Sequence, residues 1–162
     1  MRNNFYQAMR ILFALCLVCA ALAANAADQP YNETADAKSE IQQSLAQATL
    51  ANTPVIVVFG ANWCGDCKML DKAIKSGASA ALLAHDFQVV KVNVGRFDQN
   101  LDVVKTYGVP LAKGIPAAVI LSTNNAVLYV TKEGELADAR KMGDQGVYEF
   151  FKRVTAPYRT KP

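Results

Sequence analysis

Apolar positions change their spacing from segment to segment along this chain. Over residues 35–51 they sit among good helix formers, with Ile41, Leu45 and Ala48 on one face, which predicts a helix. Asn52-Thr53-Pro54 ends it, and residues 55–59 are apolar at every position, as in a central strand buried on both faces. A helix is predicted over 64–76, with Met69, Ala73 and Ile74 inward and Gly77 as its stop, followed by a short helix over 78–84. Residues 87–94 are β-branched and partly alternating, a strand, and 100–107 predict a helical turn or two ending at Gly108. Past the irregular stretch 109–113, the runs 117–121 and 126–130 flank Thr123-Asn124-Asn125 and predict a hairpin. Residues 134–142 read as a loop with a short helix. A closing helix over 145–155 puts Val147, Phe150, Phe151 and Val154 on one face, with Asp144 placed to cap it. The stretches 27–34 and 156–162 read as a polar lead-in and a frayed tail. A parallel βαβ unit followed by a hairpin and a closing helix predicts an α/β fold: a central mixed sheet, helices on both faces, and an N-terminal helix.

The first residues change the picture of where the domain begins. Arg2 and Arg10 precede an apolar run over 11–23 and the small residues Ala24-Asn25-Ala26, the pattern of a secretory signal peptide cut after Ala26. The run falls short of the roughly 20 residues that span a bilayer. Residues 27–162 then make a single domain with its core over about 50–155. The whole chain carries a formal net charge of +3, and losing Arg2 and Arg10 brings it close to neutral. That balance gives no footprint for nucleic acid or anionic lipid.

Cysteine usage narrows the chemistry. Of four cysteines, Cys16 and Cys19 lie in the leader, preceded by Leu15 and Val18 where lipoprotein signals resemble a small-residue pattern, so lipid attachment is not expected. Cys64 and Cys67 remain. A bridge between them closes too short a loop to constrain the unfolded chain, so a redox role explains the pair better than bracing does. Zinc would want four ligands and the only histidine is His85, so no metal site is expected; a two-thiolate Cu(I) carrier is the alternative. The segment Trp63-Cys64-Gly65-Asp66-Cys67-Lys68 follows a strand and opens a helix. A Cys-x-x-Cys there is a dithiol/disulfide switch, because the helix dipole and unpaired N–H groups favour the first thiolate, the species that attacks a disulfide.

The run Phe59-Gly60-Ala61-Asn62-Trp63-Cys64-Gly65-Asp66-Cys67-Lys68 resembles the active-site segment of the thioredoxin superfamily. Gly114-Ile115-Pro116 resembles that family's cis-proline loop, with Tyr107-Gly108-Val109 before it and Ala117-Ala118-Val119-Ile120-Leu121 after it. The resemblance implies a thioredoxin fold and a thiol-disulfide oxidoreductase with no cofactor beyond a redox-active Cys64–Cys67 disulfide. With the leader, it points to bacterial periplasmic thioredoxin-like and Dsb-type proteins. By position, Cys64 is the attacking thiol and Cys67 the resolving one. Gly65 and Asp66 tune the redox behaviour, and Trp63, Ile115 and Pro116 face the substrate.

Two residues depart from the family pattern. Thioredoxins resemble one another in a buried acid six positions before the first cysteine, thought to help proton transfer to the resolving thiol. This chain has Val58, which leaves that step to another group such as Asp66, or to solvent. Asp66 itself stands where thioredoxin has proline and strong oxidants have histidine, and its charge should oppose thiolate formation and favour a reductant. The expected partners are protein disulfide or dithiol substrates and a membrane thiol electron donor. Too few residues precede the first strand for a dimerisation domain, so a monomer is expected. A disulfide oxidase or isomerase is the alternative within the fold. A chaperone with an incidental dithiol and a Cu(I)-binding module are the alternatives outside the redox class. The charged runs Lys132-Glu133-Gly134-Glu135 and Arg140-Lys141 read as solvated surface.

Overall fold

The computed structural model describes residues 29–159; the predicted leader 1–26, with Cys16 and Cys19, lies outside that range. Helix α1 (Ala37–Ala51) starts where the Asp36 carboxylate accepts the N–H groups of Lys38 and Ser39 at 3.0 and 3.2 Å, and it ends at Asn52 in the left-handed region. Strand β1 (Val55–Gly60) follows, buried at every residue as its apolar run predicts. Helix α2 (Gly65–Ile74) stops at Lys75, before the predicted Gly77. Ser76 is extended, and Gly77, at φ +56°, is instead the first residue of α3 (Gly77–Asp86), redirecting the chain between two helices.

Strand β2 (Gln88–Asn93), helix α4 (Leu101–Thr106) and a 3₁₀ turn (Leu111–Lys113) lead to the hairpin of β3 (Ala117–Leu121) and β4 (Val127–Val130). Helix α5 (Ala139–Thr155) is broken at Gly143 (φ 63°), so a short turn precedes the predicted closing helix. The tail differs from a frayed end through residue 158. Ala156–Tyr158 forms a 3₁₀ turn, and the Tyr158 hydroxyl donates to the Leu128 carbonyl at 2.9 Å.

The sheet order is β2-β1-β3-β4, with β1 parallel to β2 and antiparallel to β3, and β3 antiparallel to β4. The period-two alternation of β1 divides the core. Val55, Val57 and Phe59 pack with Ile41 and Ala48 of α1 and with Val103 and Val104 of α4, while Ile56 and Val58 pack with Leu70 and Ala73 of α2, Leu83 of α3 and Phe150 and Phe151 of α5. This is the mixed sheet with helices on both faces that the hydrophobic pattern predicts. Among the described residues no helix is long and apolar enough to cross a membrane. The end of β1 delivers the chain to the N-terminus of α2, and the two cysteines stand there.

Candidate active site

Cys64 is the N-cap of α2, and its sulfur accepts the Cys67 N–H at 3.1 Å. The two sulfurs are bonded to each other, with their Cα atoms 5.2 Å apart. Cys64 is 6% exposed and Cys67 0%, so a thiolate arriving from solvent meets the first sulfur and finds the second shielded behind it. When the bond is reduced, the Cys67 N–H and the positive end of the helix both face Cys64 Sγ and favour its thiolate.

The cis-proline loop closes over the same sulfur. The Ile115–Pro116 peptide is cis, and the Ile115 carbonyl oxygen lies 3.6 Å from Cys64 Sγ. The 3₁₀ turn 111–113 ahead of this loop carries an exposed ion pair, Lys113 with Glu133 at 2.9 Å. Trp63 forms the other flank. It is 51% exposed, its indole N–H donates to the Gly95 carbonyl at 2.8 Å, and its ring meets Phe97 edge-on with centroids 5.9 Å apart. Phe97 is exposed and held at φ +65°, an uncommon conformation for a bulky residue. The fold thus brings Ile115, 51 positions away in the chain, onto Cys64, with Ile115 and Pro116 buried and Trp63 exposed beside Cys64 in sequence.

Gly65 and Asp66 sit in the first turn of α2, against Arg140 of α5. Both carboxylate oxygens of Asp66 are engaged, one by the Arg140 backbone N–H and one by its guanidinium, each at 3.0 Å. Partial burial works to raise the Asp66 pKa, but these two hydrogen bonds and the guanidinium charge outweigh it and hold the carboxyl below its usual range. A Cβ at Gly65 would stand 3.3 Å from the same guanidinium, so glycine lets the arginine lie close. Arg140, which the sequence places on solvated surface, is exposed but also completes this pair.

Val58 is buried among apolar side chains, so the strand supplies no carboxylate beneath the cysteines. The acid nearest in kind is Asp71, one turn beyond Cys67 on α2, which pairs with Lys75 at 2.8 Å and with Lys91 of β2. Burial lowers the Lys91 pKa in spite of Asp71. Tyr31, in the predicted polar lead-in, is buried to 2% exposure. Its N–H donates to Asn62 Oδ1 at 3.0 Å and its carbonyl accepts from Asn62 Nδ2 at 2.8 Å, which ties the N-terminal segment to the residue two before Cys64. Sequence spacing has no signal for Tyr31, Arg140 or Phe97, since each joins the site from a different element. His85, on the last turn of α3, forms its contact with Asp86 and takes no part in the site. Among the described residues, no three His, Cys, Asp or Glu side chains gather that could hold a metal ion.

The chain is similar to known proteins over this same region. The profile of a family described as Thioredoxin-like matches residues 36–122. A thioredoxin of Pseudomonas aeruginosa is 33% identical over 94 residues, covering 56% of this chain and 74% of that protein. The crystal structure of a disulphide isomerase from Xylella fastidiosa Temecula1 superposes with a TM-score of 0.77 at 47% identity, over 80% of this chain and 98% of that one. The solution structure of a thioredoxin from Thermus thermophilus shares the fold, with a TM-score of 0.51 at 21% identity over 72% of this chain and 82% of that one.

Proposed function

The chain belongs to the thioredoxin-like family and is a thiol-disulfide oxidoreductase whose redox centre is the Cys64–Cys67 pair, and from that premise we propose that it works as an exported reductase of protein disulfides. In the proposed cycle the Cys64 thiolate attacks one sulfur of a substrate disulfide and expels the other as a thiolate. Cys67, deprotonated, then attacks Cys64 Sγ, which releases the substrate as a dithiol and leaves the enzyme oxidised. The surface of Trp63, Ile115 and Pro116 receives the extended substrate segment.

One observation carries the direction. The guanidinium that reaches the motif is bound to Asp66 and so is not left to a thiolate at Cys64. A strong oxidant owes its high potential to a stabilised reduced form. Here the Cys64 thiolate has the helix end and the Cys67 N–H, while the neighbouring charge is a neutralised pair. That environment supports a potential nearer the ~−270 mV of thioredoxin than the ~−120 mV of a strong oxidant.

A second reading, disulfide isomerase, is favoured by the likeness to the Xylella fastidiosa disulphide isomerase. Equilibrating the mature protein with glutathione or dithiothreitol buffers separates the two. A potential near thioredoxin's supports the reductase, and one well above about −200 mV overturns it in favour of the isomerase or oxidase. Export to a bacterial periplasm, with electrons supplied by a membrane thiol donor and the protein acting as a monomer, completes the proposal. Cell fractionation and the mass of the purified protein check the first part, with Ala27 as the expected first residue.

A further inference from the structure

The tip of the Tyr31 ring and the sulfur of Cys67 both border the spot over Gly60 where a side chain would otherwise stand. A Cβ placed on Gly60 would strike the Tyr31 hydroxyl and ring end and would stand 3.0 Å from Cys67 Sγ. Glycine at the last position of β1 is what lets phenol and sulfur share that spot. The ring is held there from two sides, by burial in the core layer of α1 and by the paired hydrogen bonds between its backbone and Asn62. No part of the exchange cycle described above uses it.

We propose that the Tyr31 hydroxyl is the hydrogen-bond donor to Cys67 when that sulfur is a thiolate. The proposal rests on thiol-disulfide exchange at Cys64–Cys67 and concerns stabilisation of the thiolate, leaving proton transfer, for which Val58 supplies no carboxylate, to solvent. When an outside thiolate attacks Cys64 Sγ, a new S–S bond forms to Cys64 and the Cys64–Cys67 bond breaks. Cys67 departs with the electron pair in a site from which water is excluded. A bare thiolate there is costly, and an O–H aimed at it offsets part of that cost. The proton that later converts Cys67 to a thiol comes from solvent; tyrosine keeps its own. In the reverse direction the same donor lowers the pKa of the Cys67 thiol, so that more of it is thiolate when it must attack the mixed disulfide.

The surroundings suit a donor that stays protonated. Burial, and secondarily the negative charge of Asp71, raise the Tyr31 pKa well above its ordinary value. The charge that acts on it is Asp71 of α2, which is itself paired with Lys75 and with Lys91 of β2, while Glu33 accepts a 2.9 Å hydrogen bond from Asn62 Nδ2. Asp71 is paired with both lysines, and the phenol is the neutral polar group that borders the Cys67 sulfur across Gly60.

Tyr31→Phe keeps the ring and removes the donor. Reduction of the mature protein by dithiothreitol, followed through the fluorescence of Trp63, should slow by about tenfold, the size expected for one hydrogen bond to a developing charge. In a Cys64→Ser background, the alkylation profile of Cys67 against pH should shift upward by about one unit in the Tyr31→Phe variant. Cys64 in the reduced Tyr31→Phe protein should alkylate as in the wild type. Unchanged reduction rate and unchanged Cys67 titration overturn the inference. A wild-type disulfide that dithiothreitol cannot reduce overturns the exchange reading itself. Should Tyr31→Phe fail to fold, the ¹³Cζ resonance of Tyr31 in the reduced wild type decides. A shift that follows the Cys67 titration supports the donor, and a resonance that ignores it sinks the proposal.

Discussion

Asp66 lies between the two sulfurs in sequence, where an unpaired carboxylate would oppose the Cys64 thiolate; in the folded protein its charge is held by Arg140. The pair can be taken apart from either side, with opposite results. Arg140→Met leaves the carboxylate uncompensated beside the sulfurs and should lower the reduction potential, whereas Asp66→Asn releases the guanidinium toward the thiolate and should raise it. The double variant should return close to the wild-type value, and glutathione equilibration of the four proteins measures the coupling directly. Asp66 also leaves a signature in acid. Because its folded pKa is depressed, its contribution to stability is present above the unfolded carboxylate pKa of about 3.9 and is lost as pH falls through the lower folded value. Thermal melts taken below pH 4 should therefore show a smaller further loss for Asp66→Asn than for the wild type.

Among the elements, α1 and α2 are both capped at their N-termini, but the two caps do different work. Asp36 caps α1 with a carboxylate that binds two N–H groups and touches nothing in the active site. Cys64 caps α2 with a sulfur of the redox disulfide. Asp36→Ala should then cost about 1 kcal/mol of stability, read from denaturant unfolding, with the reduction potential unmoved. A changed potential would mean that α1 is coupled to the disulfide through Tyr31 and the core layer they share. The differences from the hydrophobic pattern also belong to this scale. Gly77 starts a helix instead of ending one, and Gly143 separates a short turn from the closing helix, since a glycine with positive φ marks a change of chain direction without saying which side of it is helical.

Across the whole molecule, redox state and stability are linked, because the disulfide and dithiol forms of one fold differ by the same free energy that sets the potential. A reductant is a protein whose folded state favours its disulfide, so the oxidised form should melt at a higher temperature than the reduced form. Paired thermal melts with and without dithiothreitol check this, and a more stable reduced form would contradict the proposed direction. Much of the architecture was legible beforehand. The wholly apolar β1, the β-branched β2, the hairpin around Thr123-Asn124-Asn125 and the face of Val147, Phe150 and Phe151 are local patterns, and each became the element that its period implies. The Cys-x-x-Cys at a strand-to-helix junction was legible for the same reason, since its chemistry depends on residues within one helical turn. The surroundings of that pair were not. Arg140 meets Asp66 across 74 positions and Tyr31 binds Asn62 across 31. Lys91 reaches Asp71 from a different element. By itself the sequence determined the order of elements and the reacting sulfurs, because backbone periodicity, capping and thiolate formation are governed by near neighbours. Only the tertiary structure decided which charge faces Asp66 and which ring end borders Cys67 at Gly60, because electrostatic and hydrogen-bond energies depend on distance through space, and that distance exists only once the sheet has brought its flanking segments together.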